Sequence, residues 1–344
     1  MLCRRLPLFF SFLSLIVVLT AREAIFLLGN KNSISKRDEN NDIQVLSPTG
    51  GSDDADNGQT NAPLHTVNPL VYGELAARFS NRSEYLRAKC AEFQGNLPGR
   101  LRTWLPQALY YSQKYNILGC LIAKAGVTTW KVHLNRMLGR DGNLENTDDI
   151  KAIKMMPLSK LTRLVIAGDV TRVINVRHPI DRLVSAYKNK FYNGQPTIPG
   201  EKFTNFFQKA QKLLGRPWQR GTATSISFRE FLQYVLEESK SGLSTMNCHW
   251  RPIHSVCLPC TAKYKYIMKL ETIEEDLAFL KKELDIREMN VTLKMNVNKK
   301  QEGRTSDDYF RGLPVDLLAG VRHLYEYDFT LFDYAIPDYL ENIG

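Results

Sequence analysis

Residues 115–134, YNILGCLIAKAGVTTWKVHL, change character at Lys124. Up to Ala123 the stretch is apolar with short breaks, the pattern of a buried strand. From Trp130 onward, Trp130, Leu134, Met137 and Leu138 recur at helical spacing. The loop between them carries a cation, a glycine and two hydroxyls: Lys124, Gly126, Thr128 and Thr129. A strand that runs through a short loop into a helix makes an anion site, because the first-turn amides converge there and the helix dipole favours negative charge. Gly126 lets the backbone come close, Lys124 adds a full charge, and the threonine hydroxyls can donate to an oxyanion while one caps the helix. The order is not that of the common nucleotide loop G-x-x-x-x-G-K-[ST], where lysine follows the glycines. Taken alone, the stretch reads equally well as a tight turn with a solvated lysine and a capping threonine.

The pattern recurs twice. TRVINV (171–176) is a second strand, Pro179 stands at a first helical position, and Ile180, Leu183, Val184, Tyr187 and Phe191 line one face of the helix that follows. KYKYIMKLE (263–271) alternates like a strand, and Thr272 with Glu275 has the spacing of a capping box ahead of Ile273, Leu277, Leu280 and Leu284. Three strand-to-helix units predict an α/β fold, a P-loop-like three-layer arrangement with a mainly parallel central sheet flanked by helices. In such sheets ligands bind at the carboxyl ends of the strands, where both the Lys124 loop and the turn at Arg177 fall.

That second turn, NVRHPIDRLVSAYKNKF (175–191), has its own anion-binding chemistry. Arg177 at a strand end can fork onto a phosphate dianion, and Ser185, two helical turns on, can donate from the side, with Arg182 and Lys188 nearby. The plainer reading is a charged amphipathic helix packed on the sheet. Two anion sites on neighbouring strand ends fit one nucleotide carrying phosphates on its 5′ and 3′ sides.

The chain has 344 residues, room for one large domain or two modest ones, and its 43% hydrophobic and 24% charged residues exclude a wholly disordered protein. A formal charge of +10 points to a polyanionic partner: nucleic acid, an anionic membrane surface or an acidic polysaccharide. The N-terminus bears on that choice. Arg4 and Arg5 precede an uncharged apolar run from Leu6 to Ala21, and after Arg22 and Glu23 comes the patch AIFLL. No clear small-x-small site follows the run, so residues 6–28 read as a signal anchor rather than a cleaved signal peptide. Positive charges ahead of it hold residues 1–5 in the cytosol and send the rest into the secretory lumen, which removes nucleic acid from the partners. Residues 29–69, rich in Asn, Asp, Ser, Gly and Pro, cannot bury a core and read as a flexible stem ahead of a folded body at 70–344. Sequons at Asn81 and Asn290 suit a lumenal body. Five cysteines fall in it, Cys90, Cys120, Cys248, Cys257 and Cys260, an odd set that cannot pair completely within itself. CLPC (257–260) resembles a zinc or redox motif, but zinc needs further ligands at suitable spacing, and disulfides suit an oxidising lumen better.

Together these motifs carry a resemblance. AKAGVTTWK (123–131) resembles the 5′-phosphosulfate loop of sulfotransferases, Pro-Lys-x-Gly-x-[Ser/Thr]-x-Trp, and RHPIDRLVSAYKNKF is similar to their 3′-phosphate motif, Arg-x-Pro-x-x-Arg-Leu-x-Ser-x-Tyr. HWRPIHSVCLPC (249–260), YKYIMKLETIEEDL (264–277) and YEYDFTLFDY (325–334) resemble the Golgi carbohydrate branch that includes chondroitin and dermatan 4-O-sulfotransferases and HNK-1 sulfotransferases. Ala123 stands where the family usually has proline, and Val127 where several members have cysteine. The resemblance implies a catalytic domain over residues 70–344, on a Golgi membrane in single-pass type II orientation. It implies transfer of sulfonate from 3′-phosphoadenosine 5′-phosphosulfate, without a metal, to a hydroxyl of an acidic glycosaminoglycan or glycoprotein glycan. The 4-hydroxyl of N-acetylgalactosamine in chondroitin or dermatan is the preferred acceptor. It further implies a donor site made of Lys124, Ala125, Gly126, Val127, Thr128, Thr129, Trp130, Arg177, His178, Pro179, Arg182 and Ser185, with Lys124 also catalytic.

A base must still take the acceptor proton, and a histidine suits that work. His65 is in the stem, His133 one turn into the first helix, His178 inside the 3′-phosphate turn where it is expected to orient phosphate, and His323 on a C-terminal helix without a motif. His249 in HWRPIH is therefore the expected base, with His254 next. A structural role for that loop remains the alternative. The competing class is a catalytically inactive glycosaminoglycan-binding protein that keeps the fold. A kinase is disfavoured, since no Gly-Lys-[Ser/Thr] triplet stands in the loop.

Overall fold

The computed structural model describes residues 69–93, 108–137, 139, 163–164, 169–197, 204–216, 223–293 and 304–341. The expected tail (1–5), anchor (6–28) and all but the last residue of the stem (29–69) lie outside the described residues, as do Cys3, His65 and Leu138. Among the described residues no helix is long and apolar enough to cross a membrane.

The elements that position the site run in the order α1 (Pro69–Glu92), β1 (Leu109–Ser112), β2 (Ile117–Cys120), α2 (Val127–Met137), β3 (Thr171–Val176), α3 (Pro179–Lys190), α4 (Thr204–Leu213), α5 (Phe228–Lys240), α6 (Ile253–Cys257), β4 (Tyr266–Lys269), α7 (Ile273–Glu283) and α8 (Val315–Leu331). Among the described residues the sheet has four strands in the order β1-β2-β3-β4, with β2 parallel to β3, β3 parallel to β4 and β1 antiparallel to β2. The α/β reading with its mainly parallel sheet therefore holds. β1 is an addition. Its four residues, Leu-Tyr-Tyr-Ser, are too short and too uniformly buried to show an alternation in sequence. β2 is also shorter than the apolar run around it, because Asn116 takes a left-handed turn (φ 49°) on one side and the chain bends toward the Lys124 loop on the other.

Side chains of a strand alternate between faces, and here both faces are covered. Ile117, Val173, Tyr266 and Met268 pack with Trp130, Leu134 and Met137 of α2 and with Leu277 and Leu280 of α7. Leu118, Cys120, Ile174 and Val176 pack instead with Leu86 of α1, with Ile253, Val256 and Cys257 of α6, and with Leu331 of α8. The apolar stripes expected on α2, α3 and α7 are thus core faces. His133 is packed inside this core, and burial pushes its imidazole down to about 4.

The expected capping box at Thr272 and Glu275 does not form. Thr272 is the N-cap residue of α7 but makes no side-chain cap; its hydroxyl donates to the Asp276 carboxylate at 2.9 Å, and Glu275 pairs with Arg78 at 2.6 Å. A buried carboxylate outcompetes a backbone cap because its negative charge must be satisfied. Asp276 is 0% exposed and also accepts from the Lys269 amide at 2.9 Å and from Arg82 Nη1 at 2.7 Å. Arg82 donates in turn to the Ile267 carbonyl of β4 at 2.9 Å. One ionic knot therefore ties α1 to β4 and α7.

Among the described residues, the disulfides Cys90–Cys260 and Cys120–Cys257 join residues 170 and 137 positions apart. In the chain-entropy account loops of that length contribute about 4–5 kcal/mol each. They also decide the reading of CLPC. Its two cysteines are pinned to α1 and to the end of β2, so neither is a thiolate ligand nor a partner of the other.

Removing the carboxylate at the centre of the α1 knot leaves Arg82, half-buried, without its counter-ion. Asp276→Ala is therefore expected to destabilise the protein by about 3–5 kcal/mol. Equilibrium urea unfolding checks this: the midpoint falls while the slope with denaturant stays that of the unmodified chain.

Candidate active site

The three parallel strands end at one edge of the sheet, and the segments leaving β2 and β3 meet there. After β2 the chain turns through Lys124 (φ 68°) and Gly126 (φ 80°) before α2 begins. Such a turn is ordinary for glycine but costs a lysine on the order of 1 kcal/mol, so the surroundings of Lys124 must hold it there. A Cβ on Gly126 would stand 3.3 Å from Leu270 Cδ1. The Trp130 amide donates back to the Gly126 carbonyl at 3.1 Å, closing the first helical turn, with Thr128 and Thr129 half-buried upon it and Ala125 and Trp130 buried.

Two arginines of the next unit hold this loop. Arg177 Nη1 donates to the Lys124 carbonyl at 3.2 Å, and Arg182 Nε donates to the Ala123 carbonyl at 3.0 Å. Arg182 is 1% exposed, and its Nη2 reaches the Cys248 carbonyl at 3.0 Å. Arg182, expected in the donor site, forms a brace between the loop ahead of Lys124 and the segment ahead of His249. Pro179 begins α3 as expected, and Ser185 is buried two turns along it.

The charges at this edge are strongly one-sided. Burial pushes the Lys124 ammonium down to about 8, and the charges that act on it, Lys190, Arg177 and Arg182, are all cations. Burial lowers Arg177 as well, opposed by Asp181 and Glu271. Lys188 is lowered by burial and by the neighbouring cations Arg304 and Arg177. Lys190 is a residue the sequence did not single out: a lysine on a charged helix carries no mark of burial, yet it is buried in the last turn of α3 with its Nζ 5.6 Å from the Phe206 ring centroid.

The histidines separate clearly. His249 stands beside these cations, and burial first, then Lys190, Lys124 and Arg182, push its imidazole down to about 2. It is neutral across the physiological range, as a general base must be. His254 is 3% exposed and bound to Asp328, which accepts from its Nδ1 at 2.9 Å, from its amide at 2.8 Å and from the Ile253 amide at 2.6 Å. It lies in the first turn of α6, whose leading amides the Asp328 carboxylate accepts, and is packed in the core. His178, expected to orient phosphate, turns to the C-terminal segment: its Nε2 lies 3.0 Å from the Ala335 carbonyl and its ring packs edge-on against Phe329 and Tyr334. A carbonyl only accepts, so Nε2 carries the proton. His323 lies on α8 beside Glu326.

The segment bearing His249 rests on groups that sequence reasoning missed. Glu238 of α5, buried, accepts from the Asn247 amide at 3.1 Å and from Trp250 Nε1 at 2.7 Å, and the Tyr325 hydroxyl donates to the Trp250 carbonyl. A glutamate inside an amphipathic helix carries no signal of this in sequence. Among the described residues no group of three or more His, Cys, Asp or Glu is placed to hold a metal ion.

An edge of buried and half-buried cations beside a neutral histidine suits an anionic ligand, and similarity to known proteins agrees. The chain is 27% identical over 256 residues to carbohydrate sulfotransferase 11 of Mus musculus, covering 68% of each chain. It is 30% identical over 267 residues to carbohydrate sulfotransferase 12 of Xenopus laevis, covering 68% of this chain and 62% of that one. With carbohydrate sulfotransferase 10 of Rattus norvegicus it shares 25% identity over 339 residues, 93% of this chain and 89% of that one. No solved structure matches it. The family model described as "Sulfotransferase family" matches residues 107–335, which take in the Lys124 loop, the Arg177 turn and the His249 segment, and the chain accordingly belongs to that family of sulfonate-transferring enzymes.

Proposed function

We propose that this chain is a carbohydrate O-sulfotransferase that moves sulfonate from 3′-phosphoadenosine 5′-phosphosulfate to a glycan hydroxyl. The observation that carries this reading is the cation group at the strand ends, half-buried Lys124 and Arg177 with buried Lys190, in which desolvation and then like charges lower Lys124 and an anionic ligand relieves the repulsion. In-line displacement at sulfur moves negative charge onto the oxygen that bridges it to the leaving phosphate. Lys124 is the group for that oxygen, and it stabilises the transition state more than the ground state. The α2 N-terminus with Thr128 and Thr129 takes the 5′ side. Arg177 and Ser185 take the 3′-phosphate, and His249 receives the acceptor proton.

The acceptor follows from the relatives' names and the charge. Relatives named carbohydrate sulfotransferases point to a glycan, and the +10 surplus suits an acidic one. The 4-hydroxyl of N-acetylgalactosamine in chondroitin or dermatan is our choice. Under this reading the protein is a type II Golgi membrane protein, anchored by residues 6–28. Asn290 is its better glycan site. It lies in an exposed turn where its Oδ1 accepts from the Thr292 hydroxyl at 2.9 Å, whereas the sequon at Asn81 lies within α1 with its Ser83 buried. Incubating the full chain with labelled donor and desulfated chondroitin, dermatan and glucuronyl-lactosamine acceptors tests the proposal. Label in chondroitin at the 4-position is expected. Binding of adenosine 3′,5′-bisphosphate with no transfer to any glycan would favour the inactive binding protein instead.

Lys124→Ala is expected to lower kcat by roughly two to three orders of magnitude, the scale for one preorganised donor to developing charge. The variant should fold and be made at the normal level; single-turnover kinetics that retain more than about a third of the original rate would remove Lys124 from this role.

The titration of Lys124 near 8 also predicts a pH dependence of binding. An anionic ligand needs the ammonium charged and holds it so to higher pH, so binding takes up a proton only above about pH 8. Affinity for adenosine 3′,5′-bisphosphate is expected to be level below about pH 7 and to fall by up to about tenfold per pH unit above pH 8. Isothermal titration at pH 7 and pH 9 measures it, and Lys124→Arg, charged throughout that range, should flatten the fall.

A further inference from the structure

We infer that Asn247 is the positioning residue of the base, holding His249 in the tautomer that carries its proton on Nδ1 and leaves Nε2 as the basic nitrogen. The inference rests on the reading of His249 as the base. Its warrant is the geometry of one carboxamide. The Oδ1 of Asn247 lies 3.0 Å from the backbone nitrogen of His249 and 2.7 Å from its ring Nδ1. A backbone N–H only donates, so the atom it faces is the carboxamide oxygen, because an amide nitrogen has no lone pair to accept with. The same oxygen then faces Nδ1 and cannot donate to it. Nδ1 must therefore be the N–H, and in a neutral imidazole the lone pair falls to Nε2.

The residue that sets the tautomer is itself held. Its amide donates to buried Glu238, which also takes the Trp250 indole N–H, and Arg182 holds the Cys248 carbonyl between Asn247 and His249. Arg251 closes the turn by donating to the Met246 carbonyl at 3.1 Å and the Ser244 carbonyl at 3.0 Å. The ring of His249 meets Phe206 of α4 edge-on at 6.0 Å between centroids. A nucleophile or base oriented by a third group is the general logic of acid–base sites, and a neutral amide does this without lending charge to the imidazole. A carboxylate in that place would favour the imidazolium and hold the base protonated to higher pH, against the opposing field of Lys190 and Arg182 on α3 and of Lys124 on its loop.

The experiment compares three variants of the full chain in pH profiles of kcat, with affinity for adenosine 3′,5′-bisphosphate as the control for an intact donor site. Asn247→Ala frees the ring and is expected to lower kcat by about tenfold or more, with the bisphosphate bound as before. Asn247→Asp keeps an acceptor in place and adds a charge. It is expected to restore kcat at high pH and to move the acidic limb of the profile upward by about one pH unit or more. His249→Ala is expected to abolish turnover and to make Asn247→Ala silent when the two are combined. An Asn247→Asp profile superimposed on the original, with His249→Ala inactive, overturns the role of Asn247 while leaving the base in place. An active His249→Ala variant overturns the base and this inference with it. If Asn247→Ala loses bisphosphate binding through misfolding, the nearly isosteric Asn247→Asp profile alone decides.

Discussion

The site depends on one buried cation. Arg182 sits in the second turn of α3 and spends its guanidinium on two backbone carbonyls, those of Ala123 and Cys248, from chain segments 125 residues apart. Taking a guanidinium out of water is costly unless its donors are met, and the fork of Arg182 meets them only where those two carbonyls are presented together. The burial that lowers its pKa is opposed by the Asp328 carboxylate of α8. One residue of the helix that follows β3 thus sets the spacing between the loop that follows β2 and the segment that carries the histidine. A lysine could not do this, having a point charge rather than a planar fork.

Around that brace, the molecule concentrates rigidity behind the site and strain within it. The Cys120–Cys257 disulfide fastens the end of β2 to the end of α6, just behind the Lys124 loop and just after the histidine segment. Asp328 takes the α6 amides and His254, Glu238 takes Asn247 and Trp250, and Asp276 takes α1, β4 and α7 together. Each is a buried carboxylate whose acceptors are filled by several donors, which keeps an ionised group tolerable in the interior. At the ligand edge the logic reverses. Lys124 is held in a left-handed turn, and its neighbours in charge are cations.

The parts of this arrangement that were legible in the sequence are those written in periodicity and in short contiguous motifs. TRVINV is a strand over its whole length, Pro179 opens its helix, and the stripes of α2, α3 and α7 are buried as their spacing requires. What failed was long-range competition. Thr272 and Glu275 have capping-box spacing, but a buried Asp276 one residue further takes the hydroxyl, and Arg78 from α1 takes the glutamate. The contact of the His178 ring with the Ala335 carbonyl, 157 residues away, has no mark in the sequence either. Lys190, Glu238 and Asn247 carry no local mark at all, because what gives each its place is a partner brought in by the tertiary fold.

The electrostatics also order the events. Burial first, and the neighbouring cations after it, lower both groups of the proposed chemistry, Lys124 to about 8 and His249 to about 2. On the proposed reading, sulfonate transfer needs the lysine charged and the histidine basic. A ligand with several negative charges beside Lys124, Arg177 and Lys190 moves both in the required direction, raising the lysine by attraction and the histidine by cancelling the field that depresses it. The nucleotide's phosphates supply such charges and a neutral sugar hydroxyl does not, so on that reading the base gains its strength when the nucleotide is bound. The basic edge then strengthens the base as well as holding the donor, and its one-sided charge is what makes it so.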